Sequence, residues 1–249
     1  IMKKEPELQK WLHPYIGADE FIKGKKRWCL WLKHASPKDI INSKILSEKV
    51  EAVRQFRLSS KAKTTNGYAK VPQLFAQITQ PDDVDFLIIP SVSSERRRYV
   101  PIGFATSNII SSNAVQIVPG ATLYHFGILT SNIHMAWMRA VCGRLKSDYR
   151  YSKEIVYNTF PWPNPTDAQK TKIEQTAQAI LDARAQYPDC SFADMYGEKM
   201  YLFPELLKAH QDNDRAVMQA YGFSIKDMTE SSCVAELMKM YQNLTKEVE

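Results

Sequence analysis

The run Gly143-Arg144-Leu145-Lys146-Ser147-Asp148-Tyr149-Arg150-Tyr151-Ser152, closed by Tyr157-Asn158-Thr159-Phe160-Pro161-Trp162-Pro163, decides how the chain is read. It follows an amphipathic segment and sets Lys146, Asp148 and Arg150 at alternate positions, so an extended chain would send all three side chains off one face. Each of them has a partner among base edges. Lysine donates to guanine N7 and O6, aspartate accepts from the cytosine N4 amino group, and arginine serves a guanine edge or a phosphate. The same residues also suit a solvated strand edge whose charges pair with one another.

Working upstream, Phe126, Ile128, Leu129, Ile133, Met135, Trp137, Met138 and Val141 leave little polar face. The spacing predicts a buried helix from near Ser131 that hands the chain on at Gly143, where glycine takes a left-handed cap. Such a helix would hold the following residues rigidly, as base reading requires. Ile109 to Val118 is β-branched around a polar centre, Ser111-Ser112-Asn113-Ala114. Asn113 has the chemistry to read adenine, and a plain turn asparagine is the alternative. Val84 to Pro90 reads as one strand and Arg98 to Ala105 as another. Three successive arginines cannot all face one way in a strand, so Arg96, Arg97 and Arg98 serve phosphates or pair with acidic neighbours.

Residues 1–14 read as a linker or a lead-in helix. The turn Lys23-Gly24-Lys25-Lys26-Arg27 precedes a strand pattern, Trp28 to Leu32, so Lys25, Lys26 and Arg27 either grip phosphate or simply decorate a charged turn. Ser36 before Pro37 starts a helix that runs to about Leu58. In the polar loop that follows, Lys61 and Lys63 lie along a DNA backbone or in solvent. Downstream, Pro161, Pro163 and Pro165 end the first domain. Thr166 with Gln169 makes a capping box for a helix to about Gln186, and further helices are predicted near 191–197, 204–221 and 229–247. The expected fold is α+β: a mixed β-sheet domain with supporting helices over 15–163, then an all-α domain over 164–249.

The chain has 249 residues and a formal charge of +6, and the charge is unevenly spread. Residues 1–150 hold 23 Lys and Arg against 12 Asp and Glu, whereas 151–249 hold 10 against 15. A polyanion would therefore meet the first part, whose cations displace counterions from phosphate. No run of 18 apolar residues occurs, so no membrane partner is expected. Cys29, Cys142, Cys190 and Cys233 form no Cys-x-x-Cys pair, which fits reduced thiols in the cytoplasm. With Ile1 ahead of Met2, the chain reads as an excised fragment.

Several chemistries are missing. The nine glycines never stand two apart, which removes both the dinucleotide fingerprint and a Gly-x-Gly methyl-donor loop. Asn164-Pro165-Thr166-Asp167 shares only two letters with the Asn-Pro-Pro-Tyr box of adenine methyltransferases. His13, His34, His125, His134 and His210 make no His-Glu-x-x-His pair, and neither Pro81-Asp82 nor Pro188-Asp189 completes a nuclease triad. No metal or catalytic residue is expected.

Five stretches resemble one family, the MmeI-like restriction-modification enzymes of bacteria. They are Tyr15-Ile16-Gly17-Ala18-Asp19-Glu20-Phe21 with Arg27 to Leu32, Pro90 to Phe104, the Gly-Arg-Leu word at 143–145 with Tyr149-Arg150-Tyr151-Ser152, Ser152 to Pro161, and Pro204 to His210. The resemblance implies a DNA target-recognition domain and a helical C-terminal domain, without the methyltransferase core. It further implies double-stranded DNA and the catalytic domain of the same parent chain as partners. S-adenosylmethionine would be the cofactor of that parent, a type II adenine-specific methyltransferase with or without a nuclease. By the same resemblance the positions of Lys146 and Asp148 set the outermost base of the target, and those of Ala114 and Arg150 an inner one. The competing expectation is a protein-interaction module whose arginines bind an acidic partner.

Overall fold

In the computed structural model, which describes residues 5–246, the chain builds two compact units. One takes the chain up to Tyr15, Lys26–Asp82 and Asn108–Ile110; the other takes Ile16–Lys25, Asp83–Ser107 and Ser111 onward. These units cut the chain differently from the 15–163 and 164–249 segments.

Residues 6–11 form a 3-10 helix, followed by β1 (Leu12–Ile16), α1 (Ala18–Lys23) and β2 (Trp28–Leu30). β1 and β2 pair antiparallel, with Leu12 opposite Leu30 and Pro14 opposite Trp28. The single helix expected from Ser36 is two, α2 (Pro37–Asn42) and α3 (Lys44–Leu58), because Ser43 starts a second one by accepting the Leu46 N–H. Ser36 and Asp39 cap each other reciprocally, Asp39 N–H to Ser36 Oγ at 3.2 Å and Ser36 N–H to Asp39 Oδ2 at 2.9 Å. Leu8, Leu32 and Leu46 form a small core. A short α4 (Lys63–Gly67) follows, and Arg57 of α3 fastens the next loop by donating to the carbonyls of Tyr68, Val71 and Leu74 at 2.9, 3.1 and 2.7 Å.

In the larger unit, β3 (Phe86–Pro90) is buried along its whole length, as its Phe-Leu-Ile-Ile-Pro run requires. A two-residue β4 (Val92–Ser93) continues it. The second expected strand shrinks to β5 (Gly103–Ala105), since residues 99–102 are core without a ladder. After β6 (Ile110–Ser111), the polar centre is a tight turn leading into β7 (Val115–Pro119). β3 lies between β5 and β7, both antiparallel to it.

Then come α5 (Leu123–Leu129) and α6 (Asn132–Val141), the latter starting where a helix was expected, with Ser131 as its cap. β8 (Gly143–Leu145) and β9 (Asp148–Arg150) make a hairpin, with β4 on the other edge of β9. The remaining elements are helical: a π turn at Lys153–Tyr157, α7 (Asp167–Ala185), α8 (Phe192–Met195), α9 (Pro204–Ala220) and α10 (Glu230–Lys246). One core runs from Leu87 and Tyr99 through Phe126 and Trp137 to Ile173, Leu206 and Leu237, so these helices share their apolar interior with the strands. Among the described residues no helix is long and apolar enough to cross a membrane.

Candidate nucleic-acid interface

The stretch 143–150 is a hairpin rather than one extended strand. Gly143 pairs with Arg150, Arg144 with Tyr149 and Leu145 with Asp148, which leaves Lys146 and Ser147 as the two-residue turn. Lys146 has φ of +56°, a left-handed backbone that lysine seldom adopts. The expectation that Lys146, Asp148 and Arg150 leave one face is thus corrected: Asp148 and Arg150 share a face of β9, and Lys146 projects from the tip. Gly143 carries no left-handed cap either; α6 ends at Cys142 with extended backbone, and Gly143 is already strand.

The two faces of the hairpin are unlike. On the inner one, the Arg144 guanidinium lies 4.0 Å from the centre of the Tyr149 ring, donates to the Ser147 carbonyl at 2.7 Å and faces Glu95 at 3.6 Å. Tyr149 is buried, and Tyr151 beyond it is buried against α6, its hydroxyl 3.0 Å from His134 Nε2. On the outer face Arg150 is exposed and Asp148 half-buried.

Backbone bonds carry this geometry to the Asn113-Ala114 turn. Ser91 N–H donates to the Ala114 carbonyl at 3.0 Å, and Tyr151 N–H donates to the Ser91 carbonyl at 2.9 Å. Ala114 and the end of β9 therefore flank one segment, roughly 10 Å apart at two strand spacings. Both Asn113 and Ala114 are exposed. The turn rests on Gly17, where a Cβ would come within 2.7 Å of Ser112 Oγ and 3.6 Å of the Ala114 Cβ. Glycine is needed there for close approach.

The three arginines diverge. Arg96 is exposed and 3.4 Å from Glu198. Arg97 is half-buried, reaches Ser93 Oγ at 3.5 Å, and leaves its Nε without a partner among the described residues. Burial lowers its pKa while the Asp148 charge raises it. Arg98 lies over the Tyr99 ring at 5.4 Å, and its carbonyl accepts from Arg139 at 3.3 Å. Lys25, in the same unit, is tied to Asp19 at 2.8 Å. In the smaller unit Arg27 stacks over Tyr15 at 4.9 Å, and Lys26, Lys61 and Lys63 are exposed.

Comparison with known proteins follows the same lines. The family described as "MmeI, target recognition domain" matches residues 1–164, and "MmeI, C-terminal domain" matches 165–249. The chain belongs to the MmeI family. DNA methyltransferase A of Bacillus subtilis (strain 168) is 36% identical over 244 residues, 98% of this chain and 27% of that protein. The solved structure of the type IIL restriction-modification enzyme MmeI in complex with DNA is 45% identical, with a TM-score of 0.93 over 98% of this chain and 32% of that one. The chain thus spans less than a third of the length of either relative. It carries the target recognition and C-terminal domains of the MmeI family, and its β-strand region followed by helices is the MmeI architecture.

Sequence reasoning missed a buried polar network that ties α7 and α9 to Tyr99, Ile102 and the start of α6. Asp214 of α9 accepts from the Tyr99 hydroxyl and from Asn132 N–H, both at 2.7 Å, and so caps the N-terminus of α6. His210 stacks on Tyr99 at 4.2 Å and lies 2.7 Å from the Tyr196 hydroxyl. Arg184 donates to that hydroxyl and to the Ile102 carbonyl, each at 2.7 Å. The only available signal was Asp214 on the apolar side of a predicted helix, where an unpaired carboxylate is costly.

Proposed function

We propose that this chain is the sequence-reading part of an adenine-N6 DNA methyltransferase of the restriction-modification class, and that its partner is duplex DNA in the cytoplasm. The observation that carries this reading is the hairpin: its inner face is locked by Arg144, Tyr149 and Tyr151, while its outer face and tip offer Asp148, Arg150 and Lys146. The lysine ammonium has donors only and suits guanine O6 and N7; the carboxylate has acceptors only and suits cytosine N4. Together they address one G·C pair. Ala114 and Arg150, flanking the Ser91 segment, address a second base pair, with Asn113 beside them. The phosphate contacts that set register come from Arg96 to Arg98, Lys25, Lys26, Arg27, Lys61 and Lys63. Residues 15–163 do the reading in this scheme and 164–249 brace them.

Methyl transfer belongs to the catalytic domain of the parent chain. The residues present do not fit S-adenosylmethionine by way of a glycine loop: no two of the nine glycines stand two apart, so the chain has no Gly-x-Gly turn to lay against a methyl donor. Binding to a duplex, followed by fluorescence anisotropy across a salt series, tests the function. The logarithm of affinity should fall linearly with the logarithm of salt, with a slope of several units. A flat salt response would favour the protein-interaction module instead.

A further inference from the structure

We propose that Leu145 is an apolar base reader that touches the C5 edge of a pyrimidine in the major groove, next to the base pair addressed by Lys146 and Asp148. This rests on the DNA-reading role of the hairpin. Residues directly opposite across an antiparallel pair share a face. Leu145 is opposite Asp148, so its side chain stands on the outer face, where it is 52% exposed. Gly143, opposite Arg150, has no side chain, and a Cβ there would meet nothing within 4 Å. Leu145 is therefore the one apolar projection of the hairpin's outer face, between a carboxylate and a lysine.

An exposed leucine alone is ordinary. This one stands on a strand whose other face is fastened, and the turn beside it is held in a left-handed conformation at Lys146, closed by the bond from Arg144 to the Ser147 carbonyl. Strain kept at such a place points to a use for the side chains it presents. The spot is a single residue, far below the area that a protein partner must cover. The major groove admits a two-stranded ribbon and offers an apolar feature, the thymine C5 methyl, at the position where cytosine carries C5–H. Every base pair has one pyrimidine, so a neighbour of the G·C pair always presents such an edge.

The test uses the full-length parent enzyme after its site has been mapped by sequencing methylated DNA. Duplexes carry thymine or deoxyuridine, or 5-methylcytosine or cytosine, at the pairs flanking the one addressed by Lys146 and Asp148. In the wild type, adding the C5 methyl at one of these pairs should raise kcat/KM by about fourfold, the effect of burying one methyl-sized group. Leu145→Ala should respond equally to both members of each pair, with an unchanged melting temperature, and Leu145→Met should retain the response. A wild type indifferent to C5 at both flanking pairs, or a Leu145→Ala variant as responsive as wild type, overturns the proposal. The exchange of Lys146→Glu with Asp148→Arg is run alongside. If it leaves the site unaltered, the reading role falls and Leu145 with it; if it alters the site while C5 has no effect, only the role of Leu145 falls.

Discussion

Tyr99 and Asp214 are 115 positions apart in sequence, and the tyrosine hydroxyl donates to the aspartate Oδ2 at 2.7 Å inside the core. Burial pushes the Asp214 carboxyl up to about 6, against the opposing pull of the Asn132 N–H, the Tyr99 hydroxyl and the charges of Arg98 and Arg139. The folded state thus holds this proton more tightly than the unfolded chain, whose value is 3.8. The stability it contributes is full below 3.8 and is lost as pH rises through about 6. Wild type should therefore gain on Asp214→Asn as pH falls from 7 to 4.5, by about 2–4 °C in melting temperature per kcal/mol. Taking the difference between the two proteins cancels the opposite trend of His134 and His210, whose burial keeps them neutral. A gap that does not change with pH would show that Asp214 is ionised throughout.

Gly127 of α5 is packed against α7 and α9 so closely that a Cβ would meet Ile173 Cγ2 at 2.6 Å and Asn213 Oδ1 at 3.1 Å. The Ile173 contact comes from a buried core side chain with little room to turn. Gly127→Ala should cost about 1–3 kcal/mol by overpacking, despite the better helix propensity of alanine. Urea unfolding should show a lower midpoint with unaltered slope. An unchanged or raised midpoint would mean that the helices separate easily.

Exchanging Lys146→Glu with Asp148→Arg reverses the order of donor and acceptor along the hairpin. The preferred pair should switch from G·C to C·G, and either change alone should cost roughly 1–3 kcal/mol of discrimination. Methylation mapping of the parent enzyme reads the outcome. If the two residues were only ion partners of each other, the double exchange would leave the site as it was.

Arg96 and Arg97 should separate in their effects. Arg96 is exposed, so Arg96→Ala should weaken specific and scrambled duplexes alike and reduce the salt slope by about one. Arg97 is packed against Ser93 beneath the hairpin, and Arg97→Ala should lower the melting temperature as well. Equal melting temperatures for both variants and wild type would remove the packing role.

Helix starts were legible where a short polar side chain meets its own backbone, as at Ser36, Ser131, Thr166 and Ser191. These signals are local, and so the sequence carries them openly. Ser43 breaks the expected helix by the same chemistry, and its side chain also donates to Glu5, a partner 38 positions away. The turn at Lys146 gave no warning, since the usual glycine or asparagine is absent. The candidate reading residues were legible as chemistry, yet their faces were not, because a two-residue turn within the run sets which side chains share a side. The bracing by Arg184, Tyr196, His210 and Asp214 depends on contacts spanning up to 115 positions. No local pattern encodes them.

β9 alternates without exception: Tyr149 goes inward to Arg144 and the core, while Asp148 and Arg150 go outward. The side chains that hold the strand in place and those available to touch a base never occupy the same side of the sheet. A lineage can therefore try new letters on the outer side while the inner side keeps the protein folded, so a drift in target need not pass through an unfolded ancestor.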